Sequence, residues 1–202
     1  MKTITLAFTG ASGLPYGMRL LECLLAAGCR VHLLYTQAAQ IVARQELNET
    51  WPSRPAELAL QFRERFKLQD EMQLQVWGQQ EWFAPMASGS NPGDGMVVCP
   101  CTMGALAAIA GGMSDNLLER AADVMIKEGK KLVLVPREAP FSAIHLENML
   151  KLARLGVVIL PPNPGFYHHP QTLADLVDFV VARILDQLAV PHQLMVRWGD
   201  PG

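Results

Sequence analysis

Residues 3–27, TITLAFTGASGLPYGMRLLECLLAA, decide the fold class. They begin with an apolar run of strand length, pass through a turn rich in glycine and small residues, and continue with helical apolar spacing that ends at Gly28. A strand that leads through such a turn into a helix is the first half of a βαβ unit, from which parallel sheets are built. The segment therefore predicts an α/β domain, and the same alternation should recur further along the chain.

Strand-like and helical patterns alternate through nearly the whole sequence. We predict strands over 3–9, 30–35, 73–77, 96–99, 131–135 and 157–160, with the fourth strand stopping at Pro100. We predict helices over 15–27, 38–47, 56–66, 103–110, 117–128, 143–155 and 173–188. This order indicates one doubly wound parallel sheet, a flavodoxin-like or Rossmann-like three-layer sandwich. Residues 1–202 should form a single domain, with the tail from about residue 189 packing on a neighbouring subunit.

Charge and composition argue against several classes of protein. The chain of 202 residues is 50% hydrophobic and carries 17 Lys and Arg against 19 Asp and Glu, which gives no global attraction to nucleic acid or to an anionic membrane. No apolar run approaches the ~20 residues of a membrane span and no secretory segment is apparent, so we expect a cytoplasmic protein. Cys99 and Cys101 are too close for the usual spacing of zinc ligands, and we expect no metal.

Residues 9–17, TGASGLPYG, join the first strand to the first helix and form a candidate phosphate site. The backbone N–H groups of this turn and the N-terminus of the helix should face a bound phosphate, and Ser12 adds a hydroxyl donor. The alternative is a tight turn with no ligand. A dinucleotide site is disfavoured, because residues 30–36 contain no Asp or Glu to bind a ribose, and no Tyr is followed by Lys four residues on.

Residues 99–105, CPCTMGA, repeat the strand-to-helix pattern, with Thr102 as candidate N-cap and as a second phosphate or ring contact. Simple helix capping is the alternative. Since both turns should lie at the carboxyl ends of neighbouring strands, they could together hold the phosphate and ring of one flavin. A third candidate is Arg137 with Glu138, which lie between two prolines directly after a predicted strand; a surface ion pair is the alternative there.

Other polar and aromatic residues carry weaker signals. Arg120 and Lys127 share one face of a predicted helix and could bind a phosphate, although a solvated face is the alternative for both and for Arg183. Some aromatic residues could line an apolar isoprenoid pocket, or belong to the core or a subunit interface. They are Trp82, Phe166, Tyr167 and Trp198. The histidines without metal spacing or a linked nucleophile, which receive no role, are His145, His168 and His169.

Several longer blocks of sequence identify a family. They are TGASG at 9–13, Trp82 with ASGS at 87–90, CPCTMG at 99–104, DNLLERAADV at 115–124, VPREAPF at 135–141, HLENM at 145–149 and PGFYH at 164–168. The chain closely resembles the flavin prenyltransferases of the UbiX family, from about residue 3 to Trp198. The PREAP and GFY blocks are far more specific than the glycine turn alone.

The resemblance implies an enzyme that joins dimethylallyl monophosphate to N5 and C6 of reduced FMN without a metal. The product, prenylated FMN, serves a partner decarboxylase of the UbiD family, and the family is associated with ubiquinone biosynthesis. Members of the family assemble as homo-dodecamers whose active sites are shared between subunits.

The resemblance also implies roles for individual positions. FMN contacts are implied at Gly10, Ala11, Ser12, Thr36, Thr102, Met103, Gly104, Ala105 and Arg137. Contacts to dimethylallyl phosphate are implied at Tyr167 and Arg183, with Lys127 and Arg120 assisting and with Trp82, Ser88, Gly89 and Trp198 around the substrate. Acid–base roles are implied for Glu46, Glu138 and Ser12, and a further catalytic role for Lys127. These residue types suit a reaction that must neutralise a departing phosphate and move a proton.

Three other functions compete with prenyl transfer. An FMN-dependent decarboxylase of peptidyl or pantothenoyl cysteine would share the fold and the flavin crevice, but its Pro-x-Met-Asn block is absent and PREAP occupies the corresponding strand end. A flavin carrier would bind FMN or its adduct without chemistry. An NAD(P)-linked reductase is disfavoured by the missing ribose-binding acid and Tyr/Lys pair.

Overall fold

The computed structural model describes residues 1–195 and 199, and its centre is a six-stranded parallel sheet. The strands are β1 Thr3–Phe8, β2 Arg30–Tyr35, β3 Leu74–Trp77, β4 Gly95–Cys101, β5 Lys131–Pro136 and β6 Val158–Ile159. The helices are α1 Leu14–Ala26, α2 Gln37–Glu46, α3 Pro55–Arg65, α4 Met103–Gly111, α5 Leu117–Lys127, α6 Ala143–Arg154 and α7 Leu173–Gln187, with a short 3-10 turn at Pro85–Ala87. The predicted order of elements is confirmed.

The sheet is covered by helices on both faces. Successive side chains of a strand point to opposite faces, so in β5 Val133 and Val135 join a core formed with α1, α2, α3 and α7. Leu132 and Leu134 of the same strand join a second core, formed with α4, α5 and α6. The two cores make the predicted three-layer sandwich and assign each helix to one face of the sheet.

The sheet order β3-β2-β1-β4-β5-β6 reverses direction between β1 and β4. From β1 the chain adds β2 and then β3 on one side of the sheet, and from β4 it adds β5 and then β6 on the other. The turns that follow β1 and β4 therefore lead to helices on opposite faces of the sheet. In open α/β sheets such a switch point leaves a crevice beyond the carboxyl ends of the two central strands. The fold therefore places the turns after β1 and β4 beside a ready-made ligand site.

The predicted end of the fourth strand at Pro100 is wrong. Strand β4 passes through this proline and ends at Cys101, which pairs with Pro136 of β5. The pairing of β4 with β5 is irregular between Val98 and Cys101. A proline inside a sheet is tolerated at such an irregularity, because the N–H group that it lacks is not needed by the ladder there.

The two edges of the sheet are short or covered. The Arg63 guanidinium donates hydrogen bonds to the backbone oxygens of Leu74, at 3.1 Å and 3.3 Å, and of Glu71, at 2.9 Å. The Glu81 carboxylate accepts a hydrogen bond from the N–H of Gly78, just past the end of β3. At the opposite edge β6 has only two residues. Side chains therefore occupy backbone groups along the outer side of β3 that a further strand would need.

One histidine is buried in the sheet. His32 of β2 is 6% exposed, and its Nδ1 accepts a hydrogen bond of 3.0 Å from the indole N–H of Trp77. Burial, and to a smaller degree the nearby Arg30 charge, lower the pKa of His32 to about 4. The imidazole is therefore neutral in the folded protein over most of the range in which a free histidine becomes charged.

Acidification should destabilise the fold through His32. The unfolded chain binds a proton near pH 6.5 and the folded chain only near pH 4, so stability falls as pH drops through this window and the loss is complete below it. We expect this residue to account for on the order of 2 kcal/mol. The measurement is the free energy of unfolding of wild type and His32→Gln from pH 7.5 to pH 4.

The glutamine variant serves as the control, because its amide can still accept from Trp77 but cannot titrate. The wild-type curve should fall more steeply than the variant curve between pH 6.5 and pH 4. Parallel curves would contradict the prediction.

Candidate active site

The turns that follow β1, β2 and β4 meet at one cavity of about 230 Å³. Five residues with an implied flavin role line it, namely Gly10, Thr36, Thr102, Gly104 and Ala105. Their neighbours in the same turns are buried Ala11, exposed Ser12 and partly exposed Met103. The structure thus brings the two glycine-containing turns together at the switch point, while their role as flavin ligands stays a prediction.

Two helix N-termini open onto this cavity. The Thr36 hydroxyl caps α2 by accepting from the N–H of Ala39, and the Thr102 hydroxyl caps α4 by accepting from the N–H of Ala105, both at 3.1 Å. The positive ends of two helix dipoles therefore face the same space, which favours an anionic group. Thr102 is a helix cap and also lines the cavity, and its contact with a phosphate or ring stays a prediction.

Gly10 allows the first turn to approach α2. A Cβ atom on Gly10 would lie 2.3 Å from the Cβ of Ala38, a distance that no real contact tolerates. The position therefore requires glycine for close packing of the two turns.

The N-terminus of α1 is not an open phosphate site, and the expectation that it faces a phosphate is wrong. The Glu46 carboxylate accepts hydrogen bonds from the N–H of Gly13, at 3.0 Å and 3.1 Å, and from the N–H of Leu14, at 2.9 Å. Gly13 has a positive φ of 109°, which lets the chain enter the helix without a capping side chain of its own. A carboxylate of α2 thus binds the N–H groups that the sequence pattern predicted would bind a phosphate.

Arg137 provides the clearest sign that the site is built for a ligand. Its Nε is buried and, among the residues that the structure describes, finds no hydrogen-bond partner. Since buried polar groups are almost always paired, an unpartnered guanidinium at the carboxyl end of β5 suits an anion such as the FMN phosphate. Together with the cradle around Gly10, this orphaned donor fits the flavin that the sequence implies.

The neighbouring Glu138 is exposed and does not pair with Arg137. Its carboxylate accepts a hydrogen bond of 3.1 Å from the N–H of Ala139, and the surface ion pair considered as the alternative is absent from the described part of the chain. The carboxylate lies beside the arginine in sequence and remains accessible to a substrate.

Arg120 and Lys127 form a second group, the α5 cluster, with Ser88 and Gly89. Arg120 donates from Nε to the backbone oxygen of Ala87 at 3.0 Å and pairs with Asp123 at 2.9 Å. A Cβ on Gly89 would meet Lys127 Nζ at 2.7 Å and the Glu128 carboxylate at 2.1 Å. The loop before β4 and the cations of α5 therefore lie against each other, which the sequence alone did not show.

Tyr167, in the loop before α7, and Arg183, on α7, form a third group. The Tyr167 ring packs edge to face on Phe179, with 5.6 Å between ring centroids, and Arg183 is four residues after Phe179 on the same helix face. Arg183 pairs with Asp186 at 2.7 Å. Because α7 and α5 cover opposite faces of the sheet, this group and the α5 cluster do not meet within one chain.

Lys127 of the α5 cluster is distant from the flavin turns, whereas Arg120 directly follows Glu119, which lines their cavity. Asn116 and Leu118, at the start of α5, line the cavity, whereas Lys127 ends the helix about 15 Å further along its axis, at 1.5 Å per residue. The residues with implied roles are thus divided into three separate places in one chain.

Several residues have functions that sequence reasoning did not assign. His145 forms a capping box with Ser142, each side chain bonding the other residue's backbone N–H at 3.2 Å. Thr9 joins the two flavin turns through its buried hydroxyl. Trp82 is 43% exposed, and Trp198 lies outside the described residues.

Residues 1–195 and 199 contain neither a membrane-spanning helix nor a cluster of metal-ligating side chains. No helix there is long and apolar enough to cross a membrane. Within residues 1–195 and 199, no group of three or more His, Cys, Asp and Glu side chains could hold a metal ion. All four cysteines are free thiols, and burial raises the pKa of Cys101 to about 12.

The fold and the site define a nucleotide-binding α/β protein with an anion site at its switch point. A family model described as Flavoprotein matches residues 1–185. Flavin prenyltransferase UbiX of Pseudomonas aeruginosa is 54% identical over 98% of this chain and 94% of its own length. The enzyme of the same name from Methanocaldococcus jannaschii is 42% identical over 97% and 98%. The chain belongs to the Flavoprotein family and, within it, to the flavin prenyltransferases of the UbiX type.

Solved structures give the same relationship. AnUbiX (PadA1) in complex with FMN and dimethylallyl pyrophosphate superposes with a TM-score of 0.86 at 37% identity, covering 100% of this chain and 99% of that one. A dodecameric FMN-dependent Ubix-like decarboxylase from Escherichia coli O157:H7 gives a TM-score of 0.83 at 41% identity, covering 98% and 100%. The flavodoxin-like fold is confirmed.

Arg137→Met should weaken FMN binding about tenfold to a hundredfold, since a charge-assisted hydrogen bond contributes ~1.5–3 kcal/mol. Methionine keeps most of the side-chain volume and removes only the guanidinium that lacks a partner. Quenching of FMN fluorescence measures the dissociation constant. Arg154→Met, an exposed arginine at the end of α6, is the matched control and should bind FMN as wild type does. Equal affinity of the Arg137 variant and wild type would refute an anion role.

Proposed function

We propose that this protein is a flavin prenyltransferase, which transfers the dimethylallyl group of dimethylallyl monophosphate to N5 and C6 of reduced FMN. The observation that carries the proposal is the buried, unpartnered Nε of Arg137, whose backbone N–H bonds the oxygen of Cys101 directly before the turn at Thr102 that lines the cavity. Full-length similarity to enzymes named flavin prenyltransferase UbiX supports the reaction class. A related structure described with FMN and dimethylallyl pyrophosphate supports the pair of ligands.

In this proposal FMN is held by the two turns of the switch point. Gly10, Ala11 and Ser12 contact it from one side, the turn 102–105 contacts it from the other, and Thr36 and Arg137 bind its phosphate end. When bound, reduced FMN supplies the nucleophilic nitrogen and the ring carbon to which the dimethylallyl group becomes attached. The protein's part is to fix the position of the ring and to keep water away from the allylic carbon.

Departure of the phosphate requires positive charge. The allylic C–O bond would break with its electron pair on the phosphate oxygen, which would take up the proton that N5 loses as the N5–C bond forms. The hydrogen phosphate that leaves carries two negative charges, which Lys127, Arg120 and Arg183 can neutralise. In the structure each of these cations pairs with an acidic neighbour on its own helix. The pairs keep the cations in place before a phosphate arrives, and they are exposed enough to be exchanged at little cost.

A carboxylate must accept the proton that C6 loses on ring closure. Glu46 already accepts hydrogen bonds from the backbone of α1, so that proton uptake there would weaken the start of a helix. Glu138 is exposed at the carboxyl end of β5, next to Arg137. We therefore infer that Glu138 is the base, while Glu46 holds the turn that carries Ser12.

The active site is shared between subunits in this proposal. The flavin turns, the α5 cluster and the Tyr167–Arg183 group occupy separate places in one chain, so only neighbouring copies can bring them to one substrate. The related decarboxylase from Escherichia coli O157:H7 is described as dodecameric, and we propose the same assembly here, with the tail from residue 189 packed on a neighbour. The aromatic residues Trp82, Tyr167 and Trp198 would then enclose the allylic group.

The product is proposed to serve a decarboxylase of the UbiD type in the cytoplasm, with ubiquinone biosynthesis as one pathway that uses such an enzyme. The family assignment supports this role.

Anaerobic incubation of the protein with reduced FMN and dimethylallyl monophosphate should yield a flavin whose mass is increased by one dimethylallyl group. Dimethylallyl diphosphate, tested in parallel as the donor, should react more slowly than the monophosphate, because the small set of cations suits a single phosphate. Glu138→Gln should retain FMN but lose at least about a hundredfold in rate, as expected on removal of a general base. Unmodified flavin in the wild-type reaction would exclude prenyl transfer.

Two outcomes separate the remaining alternatives. A carrier would bind the flavin and show no turnover with any donor. The related structure described as an FMN-dependent decarboxylase favours decarboxylation as the second candidate. Release of CO₂ from a carboxylic acid by the protein with unmodified FMN would favour that candidate.

Mixed oligomers test the shared site. Lys127→Met and Arg183→Met should each be inactive alone, because each removes a cation that faces the leaving phosphate. When the two variants are co-expressed and mix at random, about a quarter of the sites should receive both native residues if these come from different subunits. The measurement is the specific activity of the purified mixture.

A mixture of the Lys127 variant with itself under a second tag is the control and should stay inactive. Activity of the mixture no higher than that of either variant would show that both residues act from one chain.

A further inference from the structure

Thr9 lies between β1 and the glycine turn and is 1% exposed. Its hydroxyl donates a hydrogen bond of 2.7 Å to the backbone oxygen of Pro100 and accepts one of 2.9 Å from the N–H of Thr102. The backbone N–H of Thr9 also donates to the oxygen of Pro100, at 3.3 Å. One side chain therefore joins the first turn to the second across 93 positions of sequence.

The ladder between β1 and β4 does not reach this far. Its last paired residues are Ala7 and Val98, and beyond Val98 the pairing of β4 with β5 is also irregular. The relative position of the two turns is therefore not fixed by regular strand pairing. The three hydrogen bonds of Thr9 supply the connection past the end of the ladder.

Each end of this connection is attached to a part of the cavity wall. Gly10 follows Thr9 directly and is packed against Ala38. Thr102 uses its hydroxyl to cap α4 and its N–H to bond Thr9. A hydroxyl has one donor and two acceptor sites, and here the donor is used on Pro100. Thr9 lines the cavity, but its hydroxyl proton is already used and cannot be donated to a ligand, whereas its hydrogen bonds connect the two turns.

We propose that Thr9 is a positioning residue that sets the spacing of the two flavin-binding turns. The inference rests on the proposed function, because the turns need a fixed spacing only if one flavin contacts both. Loss of the hydroxyl leaves the Thr102 N–H unpaired, and that group must then turn toward water or another acceptor. The second turn then shifts, and its contacts with FMN weaken although the contacting residues themselves are unaltered.

The experiment compares Thr9→Val, which keeps the shape and removes the hydroxyl, with Thr9→Ser, which keeps the hydroxyl. Thr9→Val should bind FMN about tenfold more weakly, because it loses both hydroxyl hydrogen bonds that join the two turns, and Thr9→Ser should bind within about threefold of wild type. FMN fluorescence gives the dissociation constant, and the absorption spectrum of bound FMN reports the surroundings of the ring. The spectrum should change in the valine variant alone.

Thr5→Val is the matched control. Thr5 is also 1% exposed and lies four residues earlier, within β1 and away from both turns. It should bind FMN as wild type does. Equal weakening by Thr5→Val and Thr9→Val would overturn the proposal, because the effect would then be a general loss of stability. Unchanged affinity of Thr9→Val would overturn it as well.

A measurement on the unaltered protein keeps the proposal testable if Thr9→Val does not fold. Without FMN, the Thr102 amide should exchange its hydrogen at least about a hundredfold more slowly than an unstructured peptide. Rapid exchange would show that the connection does not exist. If wild-type protein binds no FMN, both the proposed function and this inference are wrong. If wild type binds FMN, the relative affinities of the variants test this inference alone.

Discussion

The pairing of β1 with β4 at the centre of the sheet is the constraint on which the rest of the structure depends. These strands are neighbours in the sheet, yet the chain leaves them in opposite directions. Their turns therefore separate and leave a cavity, onto which the N-termini of α2 and α4 open. The backbone N–H groups at these helix N-termini can bind an anion, so the protein needs no large positive charge for this purpose. Its net charge of −2 agrees with this arrangement.

Local pattern was sufficient to predict the fold, because strand and helix periodicities differ and each turn carries small residues that permit it. It failed at Pro100, since a break in sheet pairing depends on the neighbouring strand and not on the proline itself. It failed again at α1. The turn there has the composition of a phosphate site, but Glu46 reaches the same N–H groups from another helix, 33 positions away. Long-range partners of this kind leave no local signal.

The site residues show the same division between local and long-range information. Blocks such as PREAP indicated Arg137 as a residue of interest, and its buried, unpartnered Nε supplies a physical reason for that interest. The sequence could not show that the α5 cluster and Tyr167 lie on opposite faces of the sheet. The face that a helix covers depends on how the chain crosses from one strand to the next. The residue types thus indicated the kind of chemistry, and the fold determines which of these residues one chain can bring together.

The covered outer side of β3 and the two-residue β6 determine how copies of this protein can associate. With Arg63 and Glu81 occupying backbone groups at one edge, and almost no strand at the other, copies cannot join by extending their sheets into one another. Contacts between copies must then be made by helix faces and loops, where side chains and not backbone ladders decide the fit. Such contacts close into an assembly of defined size only where the rotation between copies returns to the starting copy.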